Sequence, residues 1–164
     1  MLSSIANTLW GLLSLTDSLA FHQTLDDVAG AQQHYLRQLL RRNANTDFGR
    51  RYDFASIRSV AEYQARVPLS TYKDYQRAID QISHGQQAVL TQEPVLLLEQ
   101  TSGSTAATKH IPYTASLKAE FQRAIAPWIV DLFRHDPRLL LGQAYWSVTP
   151  VTQRNARTPG GIPI

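Results

Sequence analysis

A hydroxyl-rich stretch from residue 101 to residue 109, TSGSTAATK, holds the side chains that could do chemistry. Gly103 can adopt backbone angles that are closed to other residues, and such a turn can point several N–H groups at one anion. Hydroxyl groups add donors, and Lys109 adds a mobile positive charge. The stretch therefore suits a polyphosphate, and its candidate binding residues are Thr101, Ser102, Gly103, Ser104, Thr105 and Lys109.

A plain surface loop rich in turn-forming residues explains the same composition equally well, because short loop motifs often match by chance. Better-defined motifs are absent. Gly103 and Lys109 have the spacing of the P-loop G-x-x-x-x-G-K-[ST], but Thr108 replaces its second glycine and His110 its magnesium-binding hydroxyl. G-x-G-x-x-G and G-x-S-x-G do not occur. The histidines show no metal-ligand spacing, so we predict no metal ligand, and no catalytic residue can be named.

The elements that must position this loop are predicted from periodicity and capping signals. Apolar spacing predicts an amphipathic helix over residues 26–42, which Asn45 and Gly49 should stop. Ser59 predicts a capped helix through Arg66, with Glu62 three residues later completing a capping box. Ser70 or Thr71 should cap another helix, with Asp74 near its start and Gly85 after its end.

The segments around the loop predict strands and one long helix. Residues 95–98 are an unbroken apolar run and predict a fully buried strand. Residues 143–149, which include Ala144, Tyr145, Trp146 and Val148, are predicted as a second buried strand. Thr114 should cap a long helix that Pro127 kinks. The apolar face of that helix is predicted to contain Leu117, Phe121, Ile125, Trp128 and Leu132.

Length and composition limit the functions that the chain can have. The chain has 164 residues, about one domain, with a net charge of +3 and no cysteine. Its basic residues are dispersed, which argues against a nucleic-acid partner. The apolar run LWGLLSL is too short to span a bilayer, and no Lys or Arg precedes Arg37. We therefore expect a cytoplasmic protein with no membrane partner, in which this run is a helix packed on the rest of the chain.

The loop sequence resembles the phosphate-binding loop of the adenylate-forming superfamily. With TDFGRRYDFASI, VPLSTYKDY, ISHGQQAVLT, IPYT and GGIPI around it in that order, the chain resembles the auxin-responsive acyl-acid amido synthetases from about Gln32 to its last residue. It departs from the family at Ala106 and Ala107, where glycine is usual, and at Thr108, where proline or another small residue is common.

The resemblance implies an α/β fold, namely the N-terminal part of the large domain of an adenylate-forming enzyme, mostly helical here with a few buried strands. Family members are several times longer, so residues 1–164 are expected to be an incomplete N-terminal portion of an adenylating domain. Contacts to adenine and ribose and the walls of the acyl pocket would then lie beyond Ile164. A fragment of this kind exposes apolar surface that the rest of the domain would cover, so we expect the chain to self-associate.

The resemblance also implies a reaction. ATP, accompanied by Mg²⁺, would activate a carboxylic acid as an acyl-adenylate, and an amino acid or other amine would then form the amide. Thr101, Ser102 and Ser104 would contact phosphate, Gly103 would form the turn, and Thr105 and Lys109 would assist. Two alternatives stay open: a non-catalytic regulatory or partner-binding module, and a helical structural domain in which residues 101–109 only connect two elements.

Overall fold

A computed structural model of the chain describes residues 2–101, 109–145 and 156–164. These ranges form six α-helices and one two-stranded antiparallel sheet. In chain order the elements are α1 Leu2–Thr24, α2 Val28–Asn43, α3 Asp47–Arg51, α4 Val60–Arg66, α5 Tyr72–Ser83, β1 Leu97–Thr101, β2 Lys109–Tyr113 and α6 Ala115–His135. The prediction of a mostly helical chain with few strands is confirmed. A strand lies at each described end of residues 101–109, and a helix follows the second strand.

The chain divides into two compact units. One unit comprises Met1–Val28 and Ser116–Thr152, and the other comprises Ala29–Ala115 and Gln153–Ile164. Both described ends of the predicted loop belong to the second unit.

In the first unit, α1 buries small polar residues and exposes its apolar ones, which reverses the packing that its sequence predicts. Asn7, Ser14 and Ser18 are buried. The Asn7 amide donates to three carbonyl groups between residues 139 and 142, the shortest bond being 2.9 Å to Gly142. These bonds satisfy carbonyl groups at the end of the 3₁₀ turn Pro137–Leu141, and Gly11 lets the ring of Phe133 approach closely.

The long helix α6 also buries a different face from the predicted one. It continues through Pro127, and its buried residues are Ala126, Ile129 and Val130. Of the predicted apolar face, Phe121 is 60% exposed and Trp128 is 53% exposed. Within residues 2–101, 109–145 and 156–164, no helix combines the length and the apolar character needed to cross a bilayer.

The second unit has two small cores. In one, Leu40 from α2 packs with Phe54 and Ile57, and partly buried aromatic side chains surround them. In the other, Ile82 from α5 packs with Val89 and with Leu98 from β1. The second core lies directly under the strand that leads into the predicted loop.

Local capping signals were read correctly at two helices. Ser59 Oγ accepts the N–H of Glu62 at 3.2 Å and caps α4, although the Glu62 carboxylate accepts the N–H of Arg58 rather than that of Ser59. At α5, the Asp74 carboxylate accepts the N–H of Thr71 at 2.7 Å. These bonds, first to the N–H and then to the hydroxyl of Thr71, lower the pKa of Asp74.

Gly49, predicted to stop a helix, lies inside α3 instead. Thr46 caps this short helix: its fully buried hydroxyl accepts the N–H of Gly49 at 2.8 Å and donates to the carbonyl of Asn43 at 2.8 Å. Glycine is needed because the chain turns back so closely that a Cβ at residue 49 would lie 2.0 Å from that carbonyl oxygen.

The prediction of a fully buried strand over residues 95–98 was wrong in part. Leu98 is completely buried, but Leu96 is 49% exposed, and the strand begins at Leu97. Leu96 lies before the strand and outside the core that contains Leu98. In the other predicted strand, residues 143–145 are exposed and lack regular structure; residues 146–149 lie outside the described residues.

The outward face of α1 supports the expectation of self-association. Leu2, Ile5, Leu9, Leu12 and Leu19 follow the a/d spacing of a heptad repeat, and their exposed fractions run from 55% to 86%. That spacing is typical of a seam between two helices. Residues 2–24 contain no Lys or Arg, whereas helices that lie on membranes are usually rich in them. We therefore expect this face to pair with α1 of a second copy.

Sedimentation velocity over a wide concentration range tests this pairing. The chain should show a concentration-dependent dimer, and Leu9→Gln combined with Leu12→Gln should remove it. Leu69→Gln is the matched control, because Leu69 is fully exposed in the other unit and should leave the dimer intact. A chain that sediments as a monomer at every concentration contradicts the prediction.

Candidate functional site

The two ends of the predicted loop face each other at the open end of the sheet. β1 and β2 pair antiparallel, and Thr101 is the partner of Lys109. The chain therefore leaves and returns at one place. Ser102, Gly103, Ser104 and Thr105 lie outside the described residues, so the structure places two of the six predicted binding residues and brings those two together.

Lys109 has a defined neighbour, although its sequence context predicts a mobile charge. Its side chain is half-buried, and its ammonium nitrogen lies 5.7 Å from the centroid of the Tyr72 ring. A cation at this distance from an aromatic face is attracted by the ring quadrupole. Thr101 is exposed. The described ends thus offer one hydroxyl and one cation, both of which can donate to an anion.

Tyr72 is the residue at this site that sequence reasoning missed. Its hydroxyl accepts the backbone N–H of His110 at 2.8 Å and donates to the carbonyl of the same residue at 3.4 Å. The two residues are 38 positions apart, and no spacing rule links them. The only signal was the predicted start of a helix at residue 70 or 71, which places Tyr72 in the first turn of α5.

The far edge of β1 is held by the C-terminal segment. The N–H of Leu98 donates to the carbonyl of Pro163 at 2.8 Å, and Ile162 packs on the core that contains Leu98. Gly160 donates to the carbonyl of Ser83 at 2.8 Å, at the end of α5. The GGIPI segment therefore supports the strand that leads into the predicted loop.

Other features of the described residues do not add to this site. A cleft of about 640 Å³ lies along α3 and α5, lined by residues that include Arg51, Tyr52, Tyr75 and Arg77, but it contains no residue of the predicted loop. Within the ranges that the structure describes, no group of three His, Asp or Glu residues is placed to hold a metal ion. The magnesium ligands therefore stay unassigned.

Comparison with known proteins gives a family match over most of the chain. The model of the GH3 family N-terminal domain matches residues 19–164. The chain is 34% identical over 86 residues to jasmonoyl–L-amino acid synthetase GH3.3 of Oryza sativa subsp. japonica, covering 52% of the chain and 19% of that protein. It is 23% identical over 134 residues to indole-3-acetic acid-amido synthetase GH3.2 of Arabidopsis thaliana, covering 80% of the chain and 24% of that protein.

A solved structure agrees with the sequence matches. The GH3.15 acyl acid amido synthetase superposes with a TM-score of 0.60 at 25% identity, over 72% of this chain and 22% of that one. The chain thus spans no more than a quarter of the length of these relatives. Because the family model covers nearly all of the sequence and both described ends of the loop, this chain belongs to the GH3 family, whose matched members are acyl-acid amido synthetases.

Proposed function

We propose that residues 101–109 form the phosphate-binding loop of an ATP-dependent acyl-acid amido synthetase. The observation that carries this proposal is the pairing of Thr101 with Lys109 at the open end of the sheet. Seven residues, 102–108, join these two ends, and their sequence includes four hydroxyl side chains and one glycine ahead of the lysine. Donors gathered at one place suit an anion with several oxygens, such as a polyphosphate.

The proposed reaction has two steps. A carboxylate oxygen of the acid attacks the α-phosphorus of ATP, the bond to the β-phosphate oxygen breaks, and pyrophosphate leaves. An amine nitrogen then attacks the acyl carbon, loses a proton, and AMP leaves with the bonding electrons. Negative charge builds on phosphate oxygens in the first step, so preorganised N–H and O–H donors stabilise that transition state. Mg²⁺ would accompany the ATP phosphates.

The donor set of the described residues fits this role. Thr101 contributes a hydroxyl and Lys109 an ammonium group, and neither Asp nor Glu occurs between them. A carboxylate there would repel phosphate, so its absence from the sequence favours an anion. The acid and the amine are small molecules in this proposal, as the names of the relatives say of those proteins.

ATP–pyrophosphate exchange with a panel of carboxylic acids tests the proposal. It should be measured on the product of the gene's longest open reading frame and on the 164-residue chain side by side. We expect acid-dependent exchange in the longer product. The 164-residue chain alone should not sustain exchange, because its GH3 relatives carry at least three quarters of their length outside the match.

Two outcomes would contradict this proposal. Robust exchange by the 164-residue chain would mean that it holds a complete adenylation site. No exchange with any acid in the longer product, together with no binding of pyrophosphate or ATP, would favour a regulatory or partner-binding module that keeps the fold without the chemistry.

A further inference from the structure

Tyr72 contacts the backbone immediately after the predicted loop. It is the first residue of α5, and its hydroxyl bonds both the N–H and the carbonyl of His110. Both of these backbone groups thus point away from β1, toward the outer edge of β2. An unpaired edge of a strand leaves such groups without partners. The Tyr72 hydroxyl satisfies them at the residue that follows Lys109.

The ring of the same tyrosine lies beside the lysine. Lys109 Nζ is 5.7 Å from the ring centroid. One side chain therefore fixes two things at the loop's exit: the backbone, through the hydroxyl, and the ammonium group, through the ring. Gln100 adds a weak contact across the hairpin, with its amide nitrogen 3.4 Å from His110 Nε2.

The position of Tyr72 is itself fixed. Asp74 accepts the N–H of Thr71 at 2.7 Å and its hydroxyl at 3.0 Å, which pins the first turn of α5. The other end of α5 is anchored by Ile79 and Ile82, both buried. A side chain on such a helix holds its orientation better than one on a loop would.

We infer that Tyr72 is a positioning residue for phosphate binding, which holds the exit of the 101–109 loop and aims Lys109. This inference rests on the proposed function. It differs from a purely structural role, because a structural tyrosine would affect stability without affecting affinity for a polyphosphate.

The test measures the binding of inorganic pyrophosphate to the 164-residue chain, monitored by NMR of the backbone amides. Tyr72→Phe removes the hydroxyl and keeps the ring. It should speed hydrogen exchange at the His110 N–H and weaken pyrophosphate binding several-fold, on the scale of one hydrogen bond. Tyr72→Leu removes the ring as well and should weaken binding further. In a Lys109→Met background, Tyr72→Leu should cost less than it does alone, because the ring then has no cation to hold.

Tyr75→Phe is the matched control. Tyr75 lies on the same helix, and its hydroxyl is 2.6 Å from Ser70 Oγ rather than on the sheet. This variant should bind pyrophosphate as the wild type does. Tyr72→Phe that binds pyrophosphate like the wild type overturns the inference, even if His110 exchanges faster. A wild-type chain that does not bind pyrophosphate at all overturns the proposed loop function, and the inference with it.

Discussion

Replacing Ser102 by alanine in the complete enzyme should slow adenylation by about 30- to 1,000-fold, or about 2–4 kcal/mol. Under the proposed function the change removes one hydroxyl donor to phosphate, and a bond that strengthens in the transition state costs this much when it is lost. Amide formation from a supplied acyl-adenylate should be nearly unchanged, because pyrophosphate has already left. Each half-reaction must be measured separately: pyrophosphate exchange for the first, and amide release from synthetic acyl-adenylate for the second.

Three further variants calibrate that result. Lys109→Ala should cost less than Ser102→Ala, since neighbouring N–H groups still hold the phosphate, and Lys73→Ala, an exposed lysine on α5, should cost nothing. Ser59→Ala removes the cap of α4 and should lower stability by about 1 kcal/mol without changing either half-reaction. If Ser102→Ala behaves like Ser59→Ala, residues 101–109 are a connector and not a phosphate-binding loop.

Replacing Gly49 by alanine should destabilise the second unit by about 3 kcal/mol or more. The added Cβ would lie 2.0 Å from the carbonyl oxygen of Asn43 and 2.9 Å from its carbon. No rotamer relieves a clash between a Cβ and the backbone, so α3 must shift. That shift would strain the buried Thr46 cap and the bonds from Asp47 and Phe48 to the carbonyls of residues 88 and 89.

The free energy of unfolding checks this prediction. It can be measured in urea by hydrogen exchange of the backbone amides, with Leu40 and Phe54 as probes in the core of the second unit. Tryptophan fluorescence would report on the other unit, because Trp10 and Trp128, the two tryptophans among the described residues, belong to the first unit. Gly142→Ala is the control: its Cβ would meet only the Leu139 carbonyl oxygen at 3.5 Å, an ordinary contact. A Gly49→Ala protein as stable as the wild type would mean that the turn from α2 to α3 is looser than the structure indicates.

The sequence predicted the features that depend on contacts between residues only a few positions apart in the chain. Ser59 caps α4, and Asp74 accepts the N–H of Thr71 at the start of α5, because such a capping bond joins groups only three positions apart. Gly85 follows α5 with φ of +92°, a left-handed conformation that favours glycine. The ordered motifs also identified the family, which the match over residues 19–164 confirms.

Which face of each helix is buried depended on groups far away in the sequence. α1 exposes its leucines because Asn7 finds carbonyl partners more than 130 residues later. Apolar periodicity cannot show this, since it records which residues could be buried and not which neighbour exists to bury them. Leu96 shows the same limit: it lies just before β1 and outside the core that buries Leu98, although both belong to one apolar run.

For the candidate site, the sequence by itself determined the family and the candidate donor groups of residues 101–109, because residue types and their order along the chain carry both. The tertiary structure alone decided that Thr101 faces Lys109, that Tyr72 holds His110 and lies beside the lysine, and that residues 162–163 support β1. These contacts join segments up to 65 residues apart. Local propensity does not encode them, because they form only when the core around Leu98 brings α5, the hairpin and the C-terminal segment together.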